Sequence, residues 1–288
     1  MMTQKWQWRV GAKDAIRAMF ALLAVAGIFC AAPAAGFRAK AKPGPPQDLP
    51  GHINYLVRQL YGVSLDDSGA ITSQVQDLVI DSLTAWMSTN AFEDASTPYP
   101  IDVRVRTHMD QCFSKLHYPF FGHPMVFARP WNGGELIGAG YTLGWSDFER
   151  VNVLALFESK GGKTQRVALA HFVPRTDMHY AFLPPSPSGA FRFIVYGNRL
   201  GKSQPRLSAI LYSFDGQKLT NLWERQDLYD GKIEVAPEKV TFRYLIERDY
   251  IQAVQQGQLP PWHEAIYKIT PQGLALQTEQ LAPYKSAP

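Results

Sequence analysis

The chain has 288 residues, of which 46% are hydrophobic and 19% charged. That is enough apolar material for a sizeable core, and it excludes a globally disordered chain. The formal charge is +4, but no clustered Lys and Arg outside the termini could neutralise a row of phosphates, which excludes a nucleic-acid groove.

The positive excess sits at the start. Lys5, Arg9, Lys13 and Arg17 precede the apolar run "AMFALLAVAGIFCAAPAA". A basic stretch, an apolar stretch and then small residues are the layout of a secretory signal. Ala32-Pro33-Ala34 supplies an A-x-A site, so residues 1–34 read as a signal peptide cut after Ala34. The alternative is an uncleaved N-terminal anchor. Ala18 to Ala35 is barely long enough to cross a bilayer, which takes about 20 residues. Both readings export the rest of the chain, to the periplasm or the exterior. A membrane is a partner only if the segment stays. Residues 1–34 hold four positive charges and one negative, so the remainder carries about +1. Cys30 leaves with the apolar stretch. Cys112 then stands alone, and one cysteine makes no internal disulfide; it reads as a small buried apolar residue.

Residues 35–50, "AGFRAKAKPGPPQDLP", are a Pro-rich linker that also holds the nearest basic cluster, Arg38, Lys40 and Lys42. Residues 51–92 read as a helical segment packing on a sheet. Ile53, Leu56, Val57, Leu60 and Tyr61 form one apolar stripe that ends at Gly62. A second helix is expected from Asp67 or Ser68, with Ile71, Val75, Leu78, Val79 and Trp86 along one side.

From Ile101 the period changes to two. Ile101, Val103 and Val105 alternate with Asp102, Arg104 and Arg106, which predicts a half-buried strand. Strand-like runs continue to Tyr284, separated by turn chemistry such as "SKGGK", "PPSPSG" and "TPQG". Links this short make antiparallel neighbours, since a parallel crossover needs a dozen or more residues. Asp215-Gly216 and Asp230-Gly231 read as two tight hairpin turns. "ERDYIQAVQQG" reads as a short helix closed by Gly257. The fold class is therefore mainly β: an antiparallel meander of about ten or more strands over 101–284. It forms a two-sheet sandwich or an open twisted, propeller-like sheet, preceded by two N-terminal amphipathic helices.

Two segments share a pattern, "AILYSFDGQKLTNL" (209–222) and "EAIYKITPQGLAL" (264–276). With Tyr212, Phe214, Asp215, Gly216 and Trp223, the first resembles a hairpin of quinoprotein-type β-propellers. Copies at blade-length spacing are missing, so the resemblance implies a local hairpin and carries no cofactor with it.

The most polar segment is "RTHMDQCFSKLHYPFFGHP" (106–124), with His108, Asp110, Cys112, His117 and His123 as conceivable ligands. It has neither H-E-x-x-H nor C-x-x-C, and no metal is assigned to it. In "WNGGELIGAGYTLGWSDFE" (131–149) the glycines precede another strand-like run, not a helix, which argues against a phosphate loop. Trp131, Tyr141 and Trp145 are the candidate ligand-binding residues. They are expected to pack over those glycines or to line a cleft for a sugar or peptide. No G-x-S-x-G or S-x-x-K occurs, and His171, His179 and His263 are scattered, so the catalytic residues are unknown. The reading is an exported, non-enzymatic binding or structural protein whose partner is an unknown small molecule or protein. The alternative is a periplasmic or extracellular hydrolase with its site at strand ends near residues 106–145, using His117 or His123 with Asp110. The intact mass of the exported protein is expected to begin at Ala35; a membrane-bound chain retaining residues 1–34 would show an anchor instead.

Overall fold

Period-two patterning becomes eleven strands in the computed structural model, which describes residues 47–60, 62–89, 99–113, 124–144, 150–172, 178–199 and 204–282. The fold is mainly β. The first sheet has four strands in chain order: β1 (Met125–Trp131), β2 (Gly134–Gly144), β3 (Arg150–Lys160) and β4 (Lys163–Phe172). The second has seven, also in chain order: β5 (His179–Leu183), β6 (Phe191–Arg199), β7 (Arg206–Phe214), β8 (Leu219–Val235), β9 (Lys239–Leu245), β10 (Trp262–Thr270) and β11 (Gly273–Ala282). Every pairing is antiparallel. The helices are α1 (Leu49–Leu60), α2 (Leu65–Thr89), α3 (Ile101–Phe113) and α4 (Glu247–Gln255), the last a short link between β9 and β10.

The first sheet is buried on both faces. On one, Val126, Ile137, Ala139, Tyr141, Val153 and Phe157 meet Leu56 of α1, Val79 and Met87 of α2, and Val105 and Met109 of α3. On the other, Phe127, Leu136, Leu154 and Leu156 pack on Phe193, Val195, Ile210 and Phe214 of the second sheet. Successive side chains of a strand point to opposite faces. A strand covered twice must therefore be apolar throughout, and Val153-Leu154-Ala155-Leu156-Phe157 is 0% exposed at every position.

Phe127 is the centre of the contact between the sheets. It pairs with Gly138 across β1 and β2. Its ring lies 4.9 Å from Tyr180, 5.2 Å from Phe182 and 5.6 Å from Phe193, centroid to centroid. The ring occupies the space that a side chain at 138 would need: a Cβ there would stand 2.1 Å from Phe127 Cε1. The glycine is required for this approach.

The second sheet curls. Arg225 on β8 reaches past β9 and β10 to β11, donating to the Tyr244 hydroxyl at 2.8 Å, to the Tyr267 hydroxyl, and to Glu279 at 3.3 Å. The Tyr244 hydroxyl in turn donates to Glu279. Arg192 on β6, 5% exposed, donates to the Thr270 carbonyl at 2.7 Å at the far end of β10. Inside the curl, Ile194, Leu211, Phe242 and Tyr267 form a further apolar cluster, with Trp223 packed against it.

Two expectations are corrected. Residues 101–113 are helix, not strand. Three alternating residues fit either period, but Ile101, Val105 and Met109 recur every fourth residue. Val105 and Met109 are 0% and 2% exposed, whereas Val103 is 37% exposed. Asp102 in the first turn favours the helix dipole. The second correction concerns Asp230-Gly231. Asp215 does make its turn, its carboxylate accepting from the amides of Gln217 (2.8 Å) and Lys218 (2.7 Å). Asp230-Gly231, by contrast, lies inside β8. Tyr229 faces Leu245 and Lys232 faces Arg243, so β8 spends one residue more than β9: a bulge. Asp230 has φ +48, and a Cβ at Gly231 would lie 2.6 Å from Leu207 Cβ. The same pair that suits a hairpin turn also suits a bulge.

Gly138→Ala is expected to destabilise the protein by about 1–3 kcal/mol through overpacking. Phe127→Ala should cost about 3–5 kcal/mol. Combining Gly138→Ala with Phe127→Leu should cost less than the sum of the two single changes, because they share one space. Urea denaturation of the four variants checks this.

Candidate functional site

The structure separates the sequence-derived ligand-binding residues. Tyr141 is 0% exposed beneath the helices, where burial pushes its phenol well above the ordinary range. Trp131 sits on the opposite side, against Phe214 at 5.2 Å, and bridges the two sheets. These two therefore share no cleft. Trp145, His117 and His123 lie outside the described residues. The ring over Gly138 belongs to Phe127, not to Trp131 or Tyr141.

His108 and Cys112 do come together. Four residues apart on α3, they lie on one face, with Cys112 Sγ 3.6 Å from His108 Nε2. Asp110 is two residues from each, about 200° round the helix, and points to solvent. Trp86, in the last turns of α2, stacks on the His108 ring at 3.9 Å with an interplanar angle of 2°. Burial lowers the His108 pKa from its ordinary 6.5. Among the described residues no group of three or more His, Cys, Asp or Glu could hold a metal ion.

Two spaces meet at His108. A crevice of about 10 Å³, room for one water at most, lies between α1, α2 and α3, and Cys112 lines it. An open groove of about 520 Å³ lies on the other side, lined by Trp86, Tyr99, Val103, Arg104, Thr107, His108 and Gln111. Arg104, Thr107, His108 and Gln111 stand at i, i+3, i+4 and i+7. They form one polar stripe along α3, about 10 Å long. The buried stripe of Val105 and Met109 fixes the helix against the first sheet and so fixes the orientation of the polar one. Tyr99 is 65% exposed at the groove's edge. The groove thus has aromatic walls, one apolar step at Val103 and a row of hydrogen-bonding groups, while the thiol lies behind the imidazole.

In the sequence Trp86 reads as part of a core stripe and Arg104 as the polar side of a strand, while Tyr99, Thr107 and Gln111 carry no signal of their own. The i, i+3, i+4, i+7 polar pattern would have revealed the α3 stripe, but only with 101–113 read as a helix. No protein-family model matches the chain, and neither does any curated protein or solved structure.

A histidine held neutral by burial favours the unfolded state once that state begins to bind the proton. Stability should therefore fall as pH drops below about 6.5 and level off below the folded-state pKa. His108→Gln should remove this part of the pH dependence, read as the difference in urea midpoint between the two proteins across pH 4 to 8.

Proposed function

We propose that this chain is an exported, non-enzymatic binding protein whose ligand lies in the groove between α2 and α3. The two sheets serve as a sandwich-like scaffold, and the paired N-terminal helices together with α3 form its binding layer. The observation that carries the reading is the groove itself, an open concavity of about 520 Å³ with aromatic walls and a polar stripe, carried on helices whose apolar faces are buried. Sites of this kind combine apolar and aromatic lining with a few placed polar groups. Seating them on packed helices keeps them pre-organised. The basic stretch, apolar stretch and Ala32-Pro33-Ala34 support export. The partner is a small molecule or a short segment of a protein.

A thermal-unfolding screen of saccharides, peptides, nucleotides and lipids tests the reading. A ligand present at 100 times its Kd stabilises by about 2.7 kcal/mol, a shift such a screen resolves. Val103→Trp, which fills the groove from an exposed helix position, should lose the shift and keep its own Tm. A ligand that stabilises both proteins equally binds elsewhere and overturns the proposal. Turnover of the bound ligand would make the protein an enzyme.

A further inference from the structure

Histidine, cysteine and carboxylate ligands do not gather in threes among the described residues, but methionine sulfur is a ligand too. His108, Met109 and Cys112 all line the crevice between α1, α2 and α3. About the α3 axis, Cys112 stands about 40° from His108 and Met109 about 100°, so the three share one side of the helix. Met109 is 2% exposed and belongs to the core that the helices form with the first sheet. One imidazole and two sulfur-bearing side chains thus border a space of about 10 Å³, room for a single small guest.

The imidazole and the thiol are spaced for one ion. Cys112 Sγ lies 3.6 Å from His108 Nε2. With bonds of about 2.0 Å to nitrogen and about 2.3 Å to sulfur, that separation subtends about 114° at the ion, between the tetrahedral and trigonal angles. A bond to Nε2 lies in the plane of the imidazole. Trp86, parallel to that ring within 2°, covers a face and not the edge, and holds the ring in place. His108 also borders the open groove, which gives an ion its way in.

Softness and charge select the ion. Thiolate and thioether sulfur favour copper(I). A thiolate, a neutral imidazole and a thioether carry one negative charge together, so a monovalent ion makes a neutral site. The rest of the lining is three aliphatic side chains and the Ser82 hydroxyl, where an uncompensated charge is costly. A divalent ion would leave one. Zinc also takes a fourth ligand, for which a space of this size has no room.

We propose that this crevice is a copper(I) site, with His108, Met109 and Cys112 as its three ligands. The Cys112 thiol gives up its proton to solvent as the copper–sulfur bond forms, and the copper keeps its oxidation state. The site lies behind the groove and does not depend on what the groove binds.

Anaerobic competition for copper(I) against bathocuproine disulfonate tests this. The exported protein carries Cys30→Ser, so that Cys112 is the sole thiol whether or not the leader remains. One equivalent of copper is expected to stay with the protein, and X-ray absorption should show one nitrogen and two sulfur neighbours. Cys112→Ser, His108→Gln and Met109→Leu should each weaken retention by about tenfold or more, a loss that even outer-shell changes bring. Met109→Leu conserves volume, so its metal-free Tm should stay near that of the parent and its effect reports the ligand, not the packing. No retained copper overturns the proposal, and so does retention that Met109→Leu leaves unchanged. Zinc held as tightly as copper overturns the monovalent assignment.

Discussion

The contact between Phe127 and Gly138 sets how closely the two sheets approach. A single ring on β1 fills the space left by a missing side chain on β2 and touches Tyr180, Phe182 and Phe193 of the second sheet. Aromatic rings carry large buried areas and prefer tilted or edge-on neighbours. Here the angles to Tyr180 and Phe182 are 74° and 73°. The first sheet can lie this close to the second only because the glycine opposite is bare. With one face so occupied, its other face is left for the helices.

That division positions the groove. The helices bury Ile53, Leu56, Val79, Met87, Val105 and Met109 against the first sheet. The orientation of α3 about its own axis is fixed in consequence, since turning it would expose Val105 and Met109. The polar stripe from Arg104 to Gln111 is set by what lies on its opposite side. The Trp86 and His108 rings, parallel within 2°, join α2 to α3 beside it. Remote from this, Arg225 on β8 holds β9, β10 and β11 through Tyr244, Tyr267 and Glu279. Arg225 and Tyr244 together keep the Glu279 carboxyl below the usual carboxylate range, the Tyr244 hydrogen bond being the larger cause.

Most of the β architecture was legible in the residue pattern, because strands covered by water on one side alternate and hairpin turns use few residue types. The doubly covered β3 was legible for a different reason, its unbroken apolar run. What misled was brevity and degeneracy. Three alternating residues at 101–105 fit helix and strand equally, and only the later spacing of Met109 decides. Asp-Gly signals a backbone that must depart from the strand conformation, but not whether the chain then reverses or merely bulges. The candidate site was the least legible part. Its residues come from α2, from the approach to α3 and from α3 itself, and nothing in linear spacing links Trp86 to His108. Trp131 and Tyr141, neighbours in a glycine-rich stretch, point to opposite faces of one sheet.

The order of strands in both sheets is the order of the chain. Within each sheet every strand after the first pairs with the one made just before it, so most ladders close over a short loop, and short loops close at small entropic cost. Such local pairing favours rapid folding and leaves few long-lived unpaired edges on which other chains could template. A polypeptide emerging from a pore one end first could lay down these hairpins one by one. The long-range step would come when the aromatic face of the second sheet closes over Phe127.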